Sequence, residues 1–271
     1  MKRANHTELR EFVFQGFSNF PEHHVLSTSE TFYSLVIIPR MLSSLVSPSQ
    51  SISLEGCGTQ IFFFLGFAIT NCLLLAVMEY DHYVVAVCNP LRYPVIMNWR
   101  VCAILASSVC ATGFSLSLVQ SVAIFRLLFC TPLIEHFFCD IQPVLDLAWA
   151  TPMINDILTL IMSLLAITAP ATFLFISYVL IISTILKITS AEGGKKTFAT
   201  YASHLTVVII HYGCASIAYF KPNLKNTKDQ DQLISVTYTV ITPLLNPVVY
   251  GLRNKEVQDA LQRVLGRKFF S

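Results

Sequence analysis

Long apolar stretches constrain this chain more than any other feature of its sequence. A helix that crosses a bilayer core about 30 Å thick needs about 20 mostly apolar residues. Five stretches reach that length with few charges: Gly58–Met78, Val101–Ala123, Ile157–Leu186, Phe198–Tyr219 and Leu233–Leu252. One such run can also be a buried helix of a soluble protein, but five in 271 residues predict an all-α, multi-pass transmembrane helical bundle.

The segment Val25–Val46 meets this test only in part. It contains Glu30 and Arg40, and its first third is rich in Ser and Thr, so only about Phe32–Val46 is apolar enough to face lipid. That length is too short to cross a bilayer alone. We therefore expect five full spans plus one partial span.

The composition excludes several classes of function. Only 13% of the residues are charged, against about 25% in soluble domains, and the 18 basic and 16 acidic residues are scattered between apolar runs. No basic face exists that could bind nucleic acid. Catalytic motifs such as His-Glu-x-x-His, Gly-x-Ser-x-Gly and a complete phosphate loop are absent from the sequence, and His136 with Cys139 is too few ligands for a metal site. We expect no enzyme activity, no cofactor and no metal.

Basic residues indicate the orientation of the bundle, because they concentrate in cytoplasmic connections. Alternate connections carry them unequally: Arg92, Arg100, Lys187, Lys195, Lys196, Arg253, Lys255, Arg263, Arg267 and Lys268 on one side, against Arg126, Lys221, Lys225 and Lys228 on the other. The carboxyl terminus is therefore expected in the cytoplasm. The chain divides into a polar head (residues 1–24), the helical bundle (25–252) and a tail (253–271), which either forms an amphipathic helix on the cytoplasmic interface or a soluble surface helix.

Several motifs resemble those of one receptor family. Met78–Tyr93 reads MEYDHYVVAVCNPLRY, which is similar to MAYDRYVAICNPLRY at the end of the third transmembrane helix of olfactory receptors. Lys196–Val208 (KTFATYASHLTVV), His211–Gly213 (HYG) and Pro243–Asn254 (PLLNPVVYGLRN) follow in the family's order. The resemblance implies a rhodopsin-like G-protein-coupled receptor of the tetrapod olfactory type. Its implied partners are the lipid bilayer of the cell membrane, a small volatile odorant and a heterotrimeric G protein.

The chain departs from this family near its amino terminus. The family has a first transmembrane helix, a loop and the start of a second helix between the head and the segment that Val25 begins, whereas here Pro21–His24 lead directly into it. The resemblance therefore indicates a truncated seven-helix receptor that lacks about one and a half helices. Retention in the endoplasmic reticulum is the alternative to surface expression.

The motif Asp81-His82-Tyr83 stands where the family has Asp-Arg-Tyr, whose Arg engages the G protein. His cannot replace the permanent charge and planar donor fork of Arg. We therefore expect weak or absent coupling.

The resemblance also implies a ligand pocket in the extracellular half of the bundle, since an apolar cavity with a few polar groups suits a small volatile molecule. The implied lining comprises Phe64, Ala68 and Cys72 on one helix and Tyr212, Ser216 and Tyr219 on another. Interhelical packing is the alternative for each of them, because an apolar pocket and an apolar core look alike in sequence.

A conformational switch is implied by Glu30, which the family places against Asn246 of the segment that also contains Pro247 and Tyr250. An ionisable group at membrane depth must have its desolvation compensated, and Pro247 lets its helix bend. Alternatively, Glu30 lies near a surface because the helix around it was shortened.

The family's extracellular disulfide corresponds to Cys57 and Cys139. The resemblance leaves Cys130 as a free thiol, because its family partner is Trp149 here. Asn5 begins the chain's single glycosylation sequon, which is used only if the head is luminal. A spanning Val25–Val46 places the head in the cytoplasm, and a non-spanning one places it in the lumen; we favour the spanning form with Asn5 unmodified.

Three classes of function remain. The first is an odorant receptor that couples to a G protein. The second is a non-signalling product of a decayed receptor gene. The third is a transporter, for which the expected pair of related halves with interrupted helices is not visible in the sequence.

Overall fold

The structure is a computed structural model that describes residues 21–46, 51–83, 98–131, 134, 136–149, 153–185, 205–206, 208–217, 233, 235–241 and 243. Over these residues the chain is almost entirely helical, and the β-structure is a single isolated bridge between Phe129 and Ala148. The first 20 residues and the predicted cytoplasmic tail at 253–271 lie outside the described residues, so that the proposed division into head, bundle and tail stays a prediction.

The helices follow one another along the chain as α1 (Pro21–Val46), α2 (Leu54–Tyr83), α3 (Trp99–Phe125), the short α4 (Ile141–Leu145), α5 (Met153–Ser163), a π-helical turn (Leu164–Thr168), α6 (Ala169–Ile185), α7 (Val208–Ile217) and a second π-helical turn (Thr237–Ile241). Because α5, the first π-helical turn and α6 run on without interruption, they form one long rod.

Three helices in the described part of the chain are long and apolar enough to cross a membrane: Leu54–Met78, Trp99–Phe125 and Met153–Leu180. They confirm the first three predicted spans. Helix α7 is a shorter apolar helix within the predicted span Phe198–Tyr219. Most of the predicted span Leu233–Leu252 lies outside the described residues, and it stays a prediction.

Helix α1 contains the segment predicted to span only in part. Its 26 residues correspond to about 39 Å at 1.5 Å per residue, which exceeds the bilayer core. Buried side chains recur at helical spacing on one face, at Leu26, Ser29, Glu30, Tyr33 and Ile37. The segment is therefore a continuous helix of sufficient length, although it is not among the three helices that also meet the composition test.

Helix α2 lies at the centre of the bundle and packs against α1, α3 and α6. Its side chains Ile61, Phe64, Leu74 and Leu75 are fully buried. In α3, by contrast, only 11% of the most apolar window is buried. Since lipid tails are as apolar as these side chains, such an exposed helix face is expected in a bilayer.

Glycines permit the close approach of α2 and α3. A Cβ atom added at Gly113 of α3 would lie 3.0 Å from the carbonyl oxygen of Gly66 and 3.1 Å from the backbone nitrogen of Thr70, both in α2. No side chain larger than hydrogen fits at that distance without movement of the backbone. Small residues are the usual contact points of membrane helices for this reason.

Candidate ligand-binding site

The bundle contains a cavity between α1, α2, α3, the rod and α7. Its volume is about 70 Å³, measured as the space that the centres of water molecules can occupy. On the same measure, one water molecule needs about 10–15 Å³. Much of its wall is apolar: Leu65, Ala68, Ile69, Ile141, Met162, Ala166, Ile167, Ala215 and Pro243. Ala166 and Ile167 belong to the π-helical turn, a feature that is frequent at functional sites. The cavity can hold a small organic molecule.

Polar groups are interspersed in this wall: Glu30, Tyr33, Asn71, Gln120, Thr159, Ser163, His211 and Tyr238. The side-chain nitrogen Nε2 of Gln120 donates to Oγ1 of Thr159 over 2.8 Å, which connects α3 to α5. The carbonyl oxygens Oε1 of Gln120 and Oδ1 of Asn71 are buried and accept no hydrogen bond. An apolar cavity with a few such polar groups is the usual form of a small-molecule site.

The cavity wall is joined to α7 by two interactions of Cys72 in α2. Its Sγ lies 3.3 Å from Nε2 of His211, and its carbonyl oxygen accepts a hydrogen bond from the hydroxyl of Tyr212. These contacts fix the distance between the two helices on which the resemblance places the ligand pocket.

The connection between α3 and α5, which contains Phe138–Asp140 and α4, packs against the amino-terminal part of α2. A disulfide joins Cys57 of α2 to Cys139, with Cα atoms 5.6 Å apart, which is the pairing that the resemblance implies. Phe138 packs its ring edge on Phe64 of α2, with ring centroids 5.5 Å apart. The bonded cysteines and this aromatic contact hold the connection against α2.

Gln60 of α2 links the same connection to α1. Its Nε2 donates to the carbonyl oxygen of Val36 over 3.0 Å, and its Oε1 accepts from the backbone N–H of Cys139 over 3.1 Å. One buried side chain therefore holds α1, α2 and the connection together.

Asp140 extends this network to the cavity wall. Its Oδ2 accepts a hydrogen bond from the hydroxyl of Tyr238 over 2.8 Å, and its Oδ1 caps α4 by accepting from the N–H of Ile141 over 2.7 Å. Burial raises the pKa of Asp140, against the opposing effects of nearby His136 and of these hydrogen bonds. Burial lowers the pKa of His136, against the opposing effects of Asp140 and of the backbone at Phe138.

Only some residues of the implied pocket line the cavity. Ala68 and Cys72 line the cavity. Phe64 is fully buried in an adjacent aromatic cluster with Tyr33, Phe138 and Tyr238, Tyr212 is buried against Cys72, and Ser216 is half-buried outside the cavity wall. Tyr219 lies outside the described residues.

Of the implied switch residues, Glu30 is only 6% exposed and lines the cavity. Its burial disagrees with the alternative that it lies near a surface. Asn246, Pro247 and Tyr250 lie outside the described residues, so their contact with Glu30 stays a prediction. Asp81, His82 and Tyr83 end α2, and the structure does not describe their side chains.

Two further predictions concern thiols and metals. Cys130 is an exposed free cysteine. Within the described ranges, no group of three or more His, Cys, Asp or Glu side chains could hold a metal ion. Asn5 lies outside these ranges.

Most polar groups on the cavity wall were not predicted from the sequence. Asn71, Gln120 and His211 each interrupt an apolar run, and a polar residue at membrane depth is a sign of a functional site. Asn71 also follows Ala68 by three residues, which places it on the same helix face. That signal was present in the sequence.

Comparison with known proteins identifies the family. Residues 21–268 match the family model described as "Olfactory receptor". The chain is 55% identical to human olfactory receptor 10J1 over 309 residues (99% of this chain and 96% of the relative), and 49% identical to mouse olfactory receptor 10J5 over 307 residues (98% and 99%). Squid rhodopsin has a similar fold, with a TM-score of 0.62 at 16% identity over 94% of this chain and 79% of that chain.

The two alignments are longer than the 271 residues of the chain while they cover nearly all of each relative. They therefore contain gaps on this chain's side, as an internal deletion requires. The family model matches most of the chain, and relatives about half identical align with nearly all of it, so this chain belongs to the olfactory receptor family.

Proposed function

We propose that this receptor binds a small volatile odorant in the cavity between α1, α2, α3, the rod and α7, and that it transmits little or no signal to a G protein. The observation that carries the first part is the cavity itself, whose apolar wall suits a volatile molecule and whose few polar groups can orient it. Ala68 and Cys72, which the resemblance assigns to the pocket, are part of that wall.

Weak coupling is proposed for two reasons. His82 occupies the position of the family's Arg and cannot supply its permanent charge. By the resemblance, the chain also lacks about one and a half helices between the head and Val25, which would remove part of the frame around the pocket. A fully coupling odorant receptor is the alternative, and a non-signalling product of a decayed gene is the extreme case of the proposal.

A cell assay tests both parts. Epitope-tagged chain is expressed in cultured cells, surface labelling measures the fraction at the cell membrane against that retained in the endoplasmic reticulum, and cyclic-nucleotide production is recorded during an odorant screen. Human olfactory receptor 10J1 serves as the control for expression and coupling. We expect a weak or absent cyclic-nucleotide response from chain that reaches the cell surface. His82→Arg alone should not restore this response, because the substitution does not replace the deleted helical segment.

A robust cyclic-nucleotide response from the unmodified chain would contradict the weak coupling. A response restored in full by His82→Arg would show instead that the deletion is tolerated and that the side chain at position 82 alone limits coupling.

A further inference from the structure

Two buried amide oxygens in the cavity wall have no hydrogen-bond donor. Asn71 is 3% exposed and Gln120 is 1% exposed, both side chains line the cavity, and neither Oδ1 of Asn71 nor Oε1 of Gln120 accepts a hydrogen bond. A buried acceptor without a partner is costly, and most buried polar atoms of native proteins have a hydrogen-bond partner. These two oxygens therefore indicate that a ligand of this cavity carries a hydrogen-bond donor.

From this geometry we propose that the cavity recognises a neutral molecule that carries a hydroxyl group, and that the hydroxyl donates a hydrogen bond to the side-chain oxygen of Asn71 or Gln120. The proposal rests on the proposed function, because it names the chemistry of the ligand of the same cavity. A ketone, an ether or a hydrocarbon of equal size has no donor and would leave both oxygens unpaired.

The amide of Gln120 is held in place by its own contact. Its Nε2 donates to Oγ1 of Thr159 over 2.8 Å, which leaves Oε1 as the amide atom without a hydrogen-bond partner. A ligand hydroxyl would donate the hydrogen bond that Oε1 of Gln120 lacks, whereas Nε2 already has a partner within the protein. This arrangement favours a donor over an acceptor in the ligand.

Glu30 also lines the cavity and could in principle favour a protonated amine. It already has an interaction partner within the protein, whereas the two amide oxygens have none. A charged ligand would also lose its hydration in a wall that is largely apolar, and that loss opposes binding. A neutral hydroxyl satisfies the free oxygens without this cost.

The test uses the full chain, purified and reconstituted in lipid nanodiscs, and measures the shift of its unfolding temperature with four probes of similar length: 1-heptanol, 2-heptanone, methyl hexyl ether and heptylamine. Ala68→Phe, which fills the cavity, separates binding in the cavity from dissolution of the probes in lipid. Asn71→Leu and Gln120→Leu remove the two acceptors. Ser121→Ala is the matched control, because Ser121 is a buried neighbour of Gln120 whose hydroxyl is also unpaired but does not line the cavity.

We expect 1-heptanol to stabilise the chain at a concentration about 10-fold lower than 2-heptanone or the ether, since an unpaired buried acceptor costs about one factor of ten or more in affinity. Asn71→Leu or Gln120→Leu should remove this preference, and Ser121→Ala should keep it.

Equal effects of alcohol, ketone and ether that Ala68→Phe abolishes would overturn the proposal while they support binding in the cavity. A preference for heptylamine would overturn it in favour of recognition by Glu30. Shifts that persist in Ala68→Phe, or the absence of any shift, would count against the proposed function itself. If a leucine variant does not fold, the probe series on the unmodified chain still decides between these outcomes.

Discussion

The contact of α2 and α3 at Gly113 gives a prediction whose size follows from the structure. In Gly113→Ala the new methyl carbon would collide with Oγ1 of Thr70 and would lie 3.0 Å from the carbonyl oxygen of Gly66 and 3.1 Å from the backbone nitrogen of Thr70. The side chain of Thr70 could turn away, but the two backbone atoms cannot move without separating the helices. Overpacking of this kind costs about 1–3 kcal/mol.

Alanine also has the higher helix propensity, which favours the variant by about 1 kcal/mol. The matched control is Gly213→Ala in α7, because a Cβ at Gly213 meets nothing within 4 Å. Both substitutions gain propensity, so that their difference isolates the packing cost. We expect Gly113→Ala to be less stable than Gly213→Ala by about 1–3 kcal/mol.

The assay is thermal or denaturant unfolding of the purified chain in one detergent, with both variants measured beside the unmodified protein. Adding Thr70→Ala to Gly113→Ala should recover only part of the loss, because the two backbone contacts remain. Equal stability of the two single variants would refute the close approach of α2 and α3 and, with it, the position of α3 in the bundle.

Three further predictions concern the connection between α3 and α5 and the amino-terminal head. Gln60→Leu should lower the free energy of unfolding by about 1–3 kcal/mol, because it removes the hydrogen bond to the Val36 carbonyl oxygen and leaves the buried N–H of Cys139 without an acceptor; an unchanged unfolding midpoint would show that the bridge between α1, α2 and the connection does not form. The pKa of His136 is lowered by burial from its usual 6.5, so the unfolded state takes up the proton first and stability should fall as pH drops below about 6.5. Asp140, whose pKa is raised, contributes stability as the pH falls and therefore opposes this loss. The stability of Asp140→Asn, measured from melting curves over ~2 pH units between pH 7 and pH 5, should fall more steeply than that of the unmodified chain. A shallower fall would refute the assigned directions of the two pKa shifts. For the head, we predict a chain in which α1 spans and Asn5 is unglycosylated; a mobility shift on glycosidase treatment that Asn5→Gln abolishes would establish the luminal head instead.

The apolar stretches predicted the parts of the fold that composition alone can determine. Gly58–Met78 and Val101–Ala123 lie in helices that are long and apolar enough to cross a membrane, because a run of about 20 apolar residues has few alternatives to a membrane helix. Helix α1 shows the limit of the same reasoning. Its polar residues made the predicted span too short, yet Glu30 faces the interior of the bundle, where it interacts with another group of the protein and its desolvation can be compensated.

The site could be predicted only in outline. Ala68 and Cys72 line the cavity whereas Phe64, on the same predicted face, packs in an aromatic cluster. The spacing of these residues along a helix fixes their direction, but the shape of the cavity depends on which neighbour fills the space opposite each one. The contact of Gly113 with the backbone of α2 had no counterpart in the sequence pattern, because a glycine within a helix has several possible reasons.

Photolabelling tests most directly whether a small hydroxyl-bearing volatile binds inside the bundle, because it locates the bound molecule. The full chain in nanodiscs would be irradiated with an alkanol that carries a diazirine, and the labelled residues identified by mass spectrometry with and without excess 1-heptanol. We expect labels within Leu65–Cys72 or at Gln120 that excess alcohol removes. Labels confined to exposed residues of α3 such as Leu118 and Val122, and unchanged by excess alcohol, would contradict it.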